Sequence, residues 1–373
     1  MSSGIKIDSF DHYLSFDGPA AIVLREWLMP VEGTDGVLFP ATFAAAAGDG
    51  FKGGYNIDTD PLTGKNVALI DSVGSQANRI EPIFKEEKYA KLVPQITVTA
   101  GDKEVSIFEA AHRAGDALLR CSALGEQLQQ AFNAVLKGDA TSLAKIAPTS
   151  LVFGVWDSRD TQAKLPRVLA SAIRAYDVRE LHRSAQFNPP VDYASLEVFS
   201  EEEKQKAEGD NKNPLAKRGF VHVPATWTHG GVIADGGIRR DATLGLAAIR
   251  LLYAGKDSSK TLALRRYILG LSLVAFTYNS PSYLRQGCLL VQNPDKPREL
   301  VEVLPTGERK PFKLSHEDAL QFAMEAAKTF GVGGAQTVPF DKDKAKKDVT
   351  DGGDAKTKPK KAGKKKMEEA NAE

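Results

Sequence analysis

Apolar residues along the chain fall into two textures. Up to about residue 100 they form short runs with β-branched members, at 20–28, 67–70 and 95–98, which predict strands. Glycine-rich GDGFKGG at 48–54 and DPLTG at 60–64 punctuate the stretch between the first two. From about 106 to 146 the spacing turns helical, with Phe108, Ala111, Gly115, Leu118 and Leu119 on one period. Two or three helices fit there, parted near Leu124-Gly125 and Gly138. LVFGVW at 151–156 reads as a buried strand. Residues 165–178 fit either element: Leu165, Val168, Leu169, Ala172, Ile173 and Tyr176 keep a helical period, while the branched content suits a strand.

The second half is punctuated more sharply. EEEKQKAEGDNKNPLAKR at 201–218 is charged and poor in apolar residues, which predicts an exposed loop or projecting hairpin. Two Gly-Gly pairs (230–231 and 236–237) lead into an expected helix from about Asp241 to Tyr253, and a second helix fits 259–276. Short strands at 288–292 and 299–304 flank a turn at Thr306-Gly307. Ser315-His-Glu-Asp318 has the form of a capping box, and Leu320, Ala323, Ala327 and Phe330 make the inner face of the helix it opens. After Pro339 large apolar residues almost vanish, so burial cannot offset the ordering entropy and disorder is expected from 341 to 373.

With 373 residues, 42% hydrophobic and 26% charged, the composition is that of a globular protein with a real core. The start of the chain has no basic region followed by an apolar one, so no signal peptide is expected. Residues 267–284 form the longest uncharged run, but Ser272, Asn279, Ser280 and Pro281 favour a buried helix and turn over a membrane span. Cys121 and Cys288 predict no disulfide framework and no metal motif, only reduced core thiols of a cytoplasmic protein. The net charge of +1 hides an asymmetry. Residues 341–373 hold 11 lysines against 8 acids, leaving 38 basic and 40 acidic residues for the rest. Any polyanion site must therefore be a local groove.

Enzyme signatures fail one by one. Gly64-Lys65 lacks the Ser or Thr and the upstream Gly of a phosphate loop, having Asn66 and Thr59 instead. The six histidines show no zinc spacing, and Asp58 and Asp60 lack the further carboxylates of a calcium loop. Two segments, at 71–82 and 159–183, rise above this background, and two weaker ones follow them. DSVGSQANRIEP at 71–82 follows a strand and opens a helix, where Gln76, Asn78 and Arg79 supply donors for phosphate and ribose oxygens; an ordinary capped helix with Arg79 paired to an acid fits as well. Residues 159–183 are the most basic stretch of the body, including Arg159, Lys164, Arg167 and Arg174, and suit a groove that tracks a nucleic-acid backbone or simply a solvated charged face. GGIRRD at 236–241 places Arg239 and Arg240 at an expected helix entrance, as a phosphate contact or a surface pair, and KRGFVHV at 217–223 matches only part of an RNA-recognition signature.

Together, ALIDSVGSQANRIEP, LVFGVWDSRDTQAKLPRVLASAIRAYDV and GGVIADGGIRRDATLGLAAIRLL resemble the backbone subunit of type I-G (formerly I-U) CRISPR Cascade complexes, a member of the RAMP superfamily. The resemblance runs over about residues 5–330, and SVGSQANR is its most distinctive phrase. It implies an α+β fold: a modified RNA-recognition-motif (ferredoxin-like) palm with helical finger and hairpin thumb insertions. Residues 1–340 would form the backbone domain, with palm strands at 20–30, 67–71 and 150–178, inserted helices at about 100–148 and the thumb within about 190–235. It also turns 169–178 toward strand.

The resemblance further implies a non-catalytic scaffold without a cofactor that polymerises along CRISPR RNA. Its partners would be further copies of itself, target DNA, the other Cascade subunits and a helicase-nuclease. Such a filament must accept any spacer, so it needs sugar–phosphate contacts rather than base-edge readout. By chemistry the contacts fall to Gln76, Asn78, Arg79, Arg159, Lys164, Arg167, Arg174, Arg239 and Arg240. The alternative is a RAMP endoribonuclease cutting guide precursor or target RNA, with His222, His229 and Asp235 as the candidate groups.

Overall fold

A computed structural model describes residues 5–48, 50–278 and 282–354. Its centre is a nine-stranded sheet paired antiparallel throughout. In chain order the strands are β1 (Ala21–Pro30), β2 (Ile57–Thr59), β3 (Asn66–Asp71), β4 (Leu169–Phe187), β5 (Val223–Gly245), β6 (Tyr283–Arg285), β7 (Cys288–Gln292), β8 (Glu299–Val303) and β9 (Arg309–Pro311). Across the middle they stand in the order β8-β1-β5-β4, with β3 and β2 added beyond β4. Helical sequence separates β1 from β4 and β5 from β8, so the four strands follow the ferredoxin-like order. The α+β palm that the resemblance implies is borne out.

The two faces of this sheet differ because side chains alternate along each strand. Ile22 and Leu24 of β1, Ala242 and Leu244 of β5, and Leu169 of β4 point to one face and join the main core. That face is covered by helix α3 (Ser258–Thr277), which is backed by helix α4 (His316–Phe330). α3 is apolar nearly all round, and every residue from Tyr267 to Phe276 is buried. Gly270 lets α4 approach closely: a Cβ there would lie 2.8 Å from the Cα of Ala323. No described helix is long and apolar enough to cross a membrane. A second, smaller core on the same face holds Ile173, Ala175, Val178 and Ile238 under Leu38, Tyr55, Leu284 and Leu290.

β4 and β5 run 19 and 23 residues and leave the sheet together as a long hairpin. Its tip at 188–222 has a small core of its own, Ala207, Ala216 and Val221 packed with Phe199 and Leu215. Here the sequence expectation needs correcting. The charged stretch at 201–218 folds into two short helices, Glu201–Ala207 and Pro214–Lys217. Ser200 and Glu203 close a capping box, and Asn213 caps the second helix ahead of Pro214.

Three other expectations are displaced. LVFGVW is helical in its first half: Thr149–Phe153 forms a helical turn behind Pro148, and Gly154, at φ +80°, ends it before a two-residue strand Val155–Trp156. A short buried run has no period to separate the two elements. The helix expected from Asp241 begins only at Leu246, because 241–245 are held as strand between β1 and β4. Pairing on both sides overrides the Ala-rich propensity. Finally, Lys342–Asp354 forms a helix, α5, within the stretch expected to be disordered. The Asp341 side chain caps it by accepting from the N–H groups of Asp343 and Lys344, and Asp348 pairs with Arg159. Residues 355–373 lie outside the described residues.

In the region expected to be helical, the chain forms 3-10 turns at Ile107–Glu109 and Arg113–Gly115, then helices Ala117–Arg120, Gly125–Leu136 and Thr141–Ile146.

Candidate nucleic-acid interface

The distinctive SVGSQANR phrase forms helix α1 (Val73–Ile80), with Ser72 as its N-cap accepting from the Ser75 N–H. Immediately before it, Asp71 ends β3 on the buried face at 1% exposure. Its carboxylate accepts from Gln76 Nε2 at 2.7 Å, Arg79 Nε at 3.1 Å and a guanidinium nitrogen of Arg285 at 3.0 Å. The chain of contacts continues inward. Gln76 Oε1 accepts from Ser171 Oγ at 3.0 Å, Ser171 Oγ accepts from Arg240 Nε at 3.2 Å, and Arg240 lies 3.7 Å from Glu26. Gln76 is wholly buried and Arg240 is 6% exposed. Both were expected as RNA contacts, and both instead spend their donors inside the protein. Arg79, half-buried, is committed to Asp71, which is the paired-acid alternative for this helix.

The opposite face of the sheet carries different chemistry. Arg25 and Trp27 of β1, Arg239 and Asp241 of β5, Arg174 and Tyr176 of β4, and Glu299 of β8 are cross-strand neighbours there. The helices that pack on the sheet lie on the other side. Arg239 is held in place from three directions. Its Nε donates to Asp241 at 2.8 Å, a terminal nitrogen donates to the Tyr176 hydroxyl at 2.9 Å, and its guanidinium lies 5.2 Å from the Trp27 ring and 4.9 Å from the Tyr176 ring. Lys296 reaches over the Trp27 ring at 4.1 Å. The Arg174 side chain, on a residue whose backbone is paired on both sides, makes no hydrogen bond or ion pair with any described residue. Across this face Arg25, Arg174, Arg239, Lys296 and Arg309 stand against Asp241 and Glu299, with Asp58 at the far edge. Positive charge is in excess.

A second basic group sits where β4 begins. Exposed Asn78 accepts from Arg113 at 3.3 Å, and Arg113 also donates to the Gly154 carbonyl at 3.4 Å. A Cβ on Gly154 would fall 2.9 Å from Cγ of Arg167, so Asn78 and Arg167 flank one turn. Lys164 lies 5.8 Å over the ring of Trp156, which is 55% exposed. Beneath them Arg113 is paired with buried Glu81 at 2.6 Å, and burial pushes the Glu81 carboxyl up to about 7 despite that partner. Arg159 stands apart from these groups, bound to Asp348 of α5 and to the Cys121 sulfur.

The structure thus divides the nine predicted residues. Arg174 and Arg239 share the open face, and Asn78, Lys164 and Arg167 share one edge. Gln76, Arg79 and Arg240 belong to the interior network, and Arg159 to the C-terminal helix. Sequence reasoning missed Trp27, Tyr176, Arg25 and Lys296. The alternation of β1, where Val23, Arg25, Trp27 and Met29 fall on one face, is the signal that could have found the first and third.

The fold and this surface define an α+β protein with a ferredoxin-like palm and a cationic, aromatic sheet face. Residues 22–180 match the model of a family described as CRISPR-associated protein GSU0053. The matched span takes in β1, β3, α1 and the first part of β4, and it supports a CRISPR-associated role for the chain. None of the curated proteins compared matches it.

Proposed function

We propose that the chain is a non-catalytic scaffold that binds CRISPR RNA, polymerises along it in a type I Cascade surveillance complex, and supports recognition of target DNA in antiviral defence. The observation that carries this reading is the open sheet face, where cations outnumber carboxylates and Arg174 and Lys296 have no acidic partner among the described residues. Guanidinium and ammonium groups without base-edge geometry suit a ligand recognised through its phosphates, whatever its sequence. The family match supports the CRISPR context. The long β4–β5 hairpin is the natural thumb, and the other proposed partners are further copies of the chain, other Cascade subunits and a helicase-nuclease.

The residues for a ribonuclease do not converge. His222 Nδ1 is 2.7 Å from Asn188 Oδ1 at the hairpin tip, His229 packs on Tyr55 with ring centroids 4.6 Å apart, and Asp235 is paired with Arg179 at 2.6 Å. The test is to co-express the chain with a CRISPR array and the neighbouring genes, purify it and sequence the bound RNA. Intact guide-length RNA in multi-copy particles supports the scaffold. Cut fragments favour the endoribonuclease, and a folded particle without RNA overturns both.

A further inference from the structure

We propose that Trp27 is a stacking platform for one unpaired base of the bound RNA strand, with the adjoining phosphate taken by Lys296 and Arg174. This assignment rests on the RNA-binding reading above and adds to it a place for a base. Trp27 lies on a central strand opposite Arg239, and its ring is fixed by that guanidinium at 5.2 Å and by Tyr176 at 6.3 Å. Arg239 is itself neutralised by Asp241, so it acts as a floor under the indole rather than as a mobile charge.

Gly237 keeps the place open. At φ +88° it holds a conformation that L side chains rarely adopt. A Cβ there would sit 2.9 Å from Lys296 Nζ and 3.2 Å from Cζ3 of Trp27. Any side chain at this position would therefore crowd both the ring and its cation. Lys296 is the second pointer. Its ammonium rests 4.1 Å from the indole centroid and has no carboxylate partner among the described residues. An ammonium on a partly exposed ring is held more weakly than a base stacked on an aromatic side chain, which is worth about tenfold or more in affinity. A base arriving with its phosphate displaces Lys296 from the ring and gives it an anion in exchange. Because every base has a π-face, the platform accepts any spacer.

The chain has three tryptophans, so the full-length Trp156→Phe/Trp227→Phe variant leaves Trp27 as the sole indole emitter. It is titrated with an oligo-uridylate of about fifteen nucleotides and with an abasic ribose-phosphate oligomer of equal length. Both are expected to bind, and only the oligo-uridylate quenches Trp27. Trp27→Ala and Gly237→Ala should each weaken oligo-uridylate binding about tenfold and leave the abasic oligomer unchanged. Lys296→Met should lower the salt slope for both oligomers by about 0.7. Oligo-uridylate binding that leaves Trp27 emission unmoved overturns the platform and spares the RNA-binding reading. Binding of neither oligomer overturns that reading and the platform with it. The emission arm needs no substitution at Trp27, so it decides the matter even if Trp27→Ala fails to fold.

Discussion

Arg239 and Arg240 are neighbours in the chain and occupy opposite faces of β5. Arg240 turns inward to Ser171 and Glu26, in a network that also holds Gln76, Asp71, Arg79 and Arg285. Arg239 turns outward among Trp27, Tyr176 and Asp241. On the inner face Arg79 and Arg285 answer the buried Asp71 carboxylate and Arg240 the part-buried Glu26, since an unpaired charge there would cost several kcal/mol. On the outer face cations exceed acids, and Arg174 and Lys296 have no acidic partner among the described residues, which water tolerates and a polyanion rewards. The same residue type thus fastens the sheet on one side and offers a ligand surface on the other, one position apart.

The largest effect should come from the inner face. Asp71→Ala leaves Arg79 and Arg285 converging without their carboxylate, and should destabilise the fold by about 3–5 kcal/mol in denaturant unfolding. A loss below about 1 kcal/mol would mean that the network is solvated and the contrast between faces is false. Next, Arg240→Ala should lose about 2–4 kcal/mol of stability, whereas Arg239→Ala should lose about 1 kcal/mol or less while weakening RNA binding. Equal stability losses at the two positions would break the comparison.

The pH dependence sharpens it further. Burial lifts the Glu81 carboxyl from its ordinary value of 4.5 to about 7, Arg113 pulling the other way. The folded state then holds more protons than the unfolded one between those two values. Stability should be fully present below about 4.5 and fall as pH rises toward about 7. Thermal melts of Glu81→Gln should lack that slope, and an unchanged slope would assign it elsewhere. The smallest effect belongs to the outer face. Arg174→Ala should leave stability within about 0.5 kcal/mol and reduce the salt slope of RNA binding by about 0.7, similarly for unrelated sequences. Loss on one sequence only would count against backbone tracking.

The contrast also explains how much of the molecule is legible in its residues alone. Strand β1, β3 with its capped helix α1, and the buried helix α3 are legible because their patterns are local: Ser72 at an N-cap, apolar runs bounded by turns, a long uncharged stretch. Residues 241–245 are not, since only pairing with β1 and β4 makes them strand. The site is half legible. Basic stretches mark where arginines lie, but facing requires register, and Arg239 and Arg240 cannot be sorted until Trp27 and Glu26 are found opposite them. Lys296 is hidden for another reason: it reaches Trp27 from the loop between β7 and β8, far away in sequence.

One feature of β4 governs how the hairpin is aimed. Asp177, at φ +49°, is passed over in the pairing with β5, which steps from Tyr176 opposite Gly237 to Val178 opposite Ala234. Ile173, Ala175 and Val178 consequently all reach the same small core, although an unbroken strand would turn Val178 away from it. Asp177 is thus a half-turn inserted into the strand, a phase shifter between palm and hairpin. Straightening that single residue into regular strand would rotate everything beyond it by one side-chain step, carrying Arg179 to the core side and Val178 to water. The bearing of the tip, some 30 Å further along the ribbon by strand rise, is encoded in one amino acid at its root.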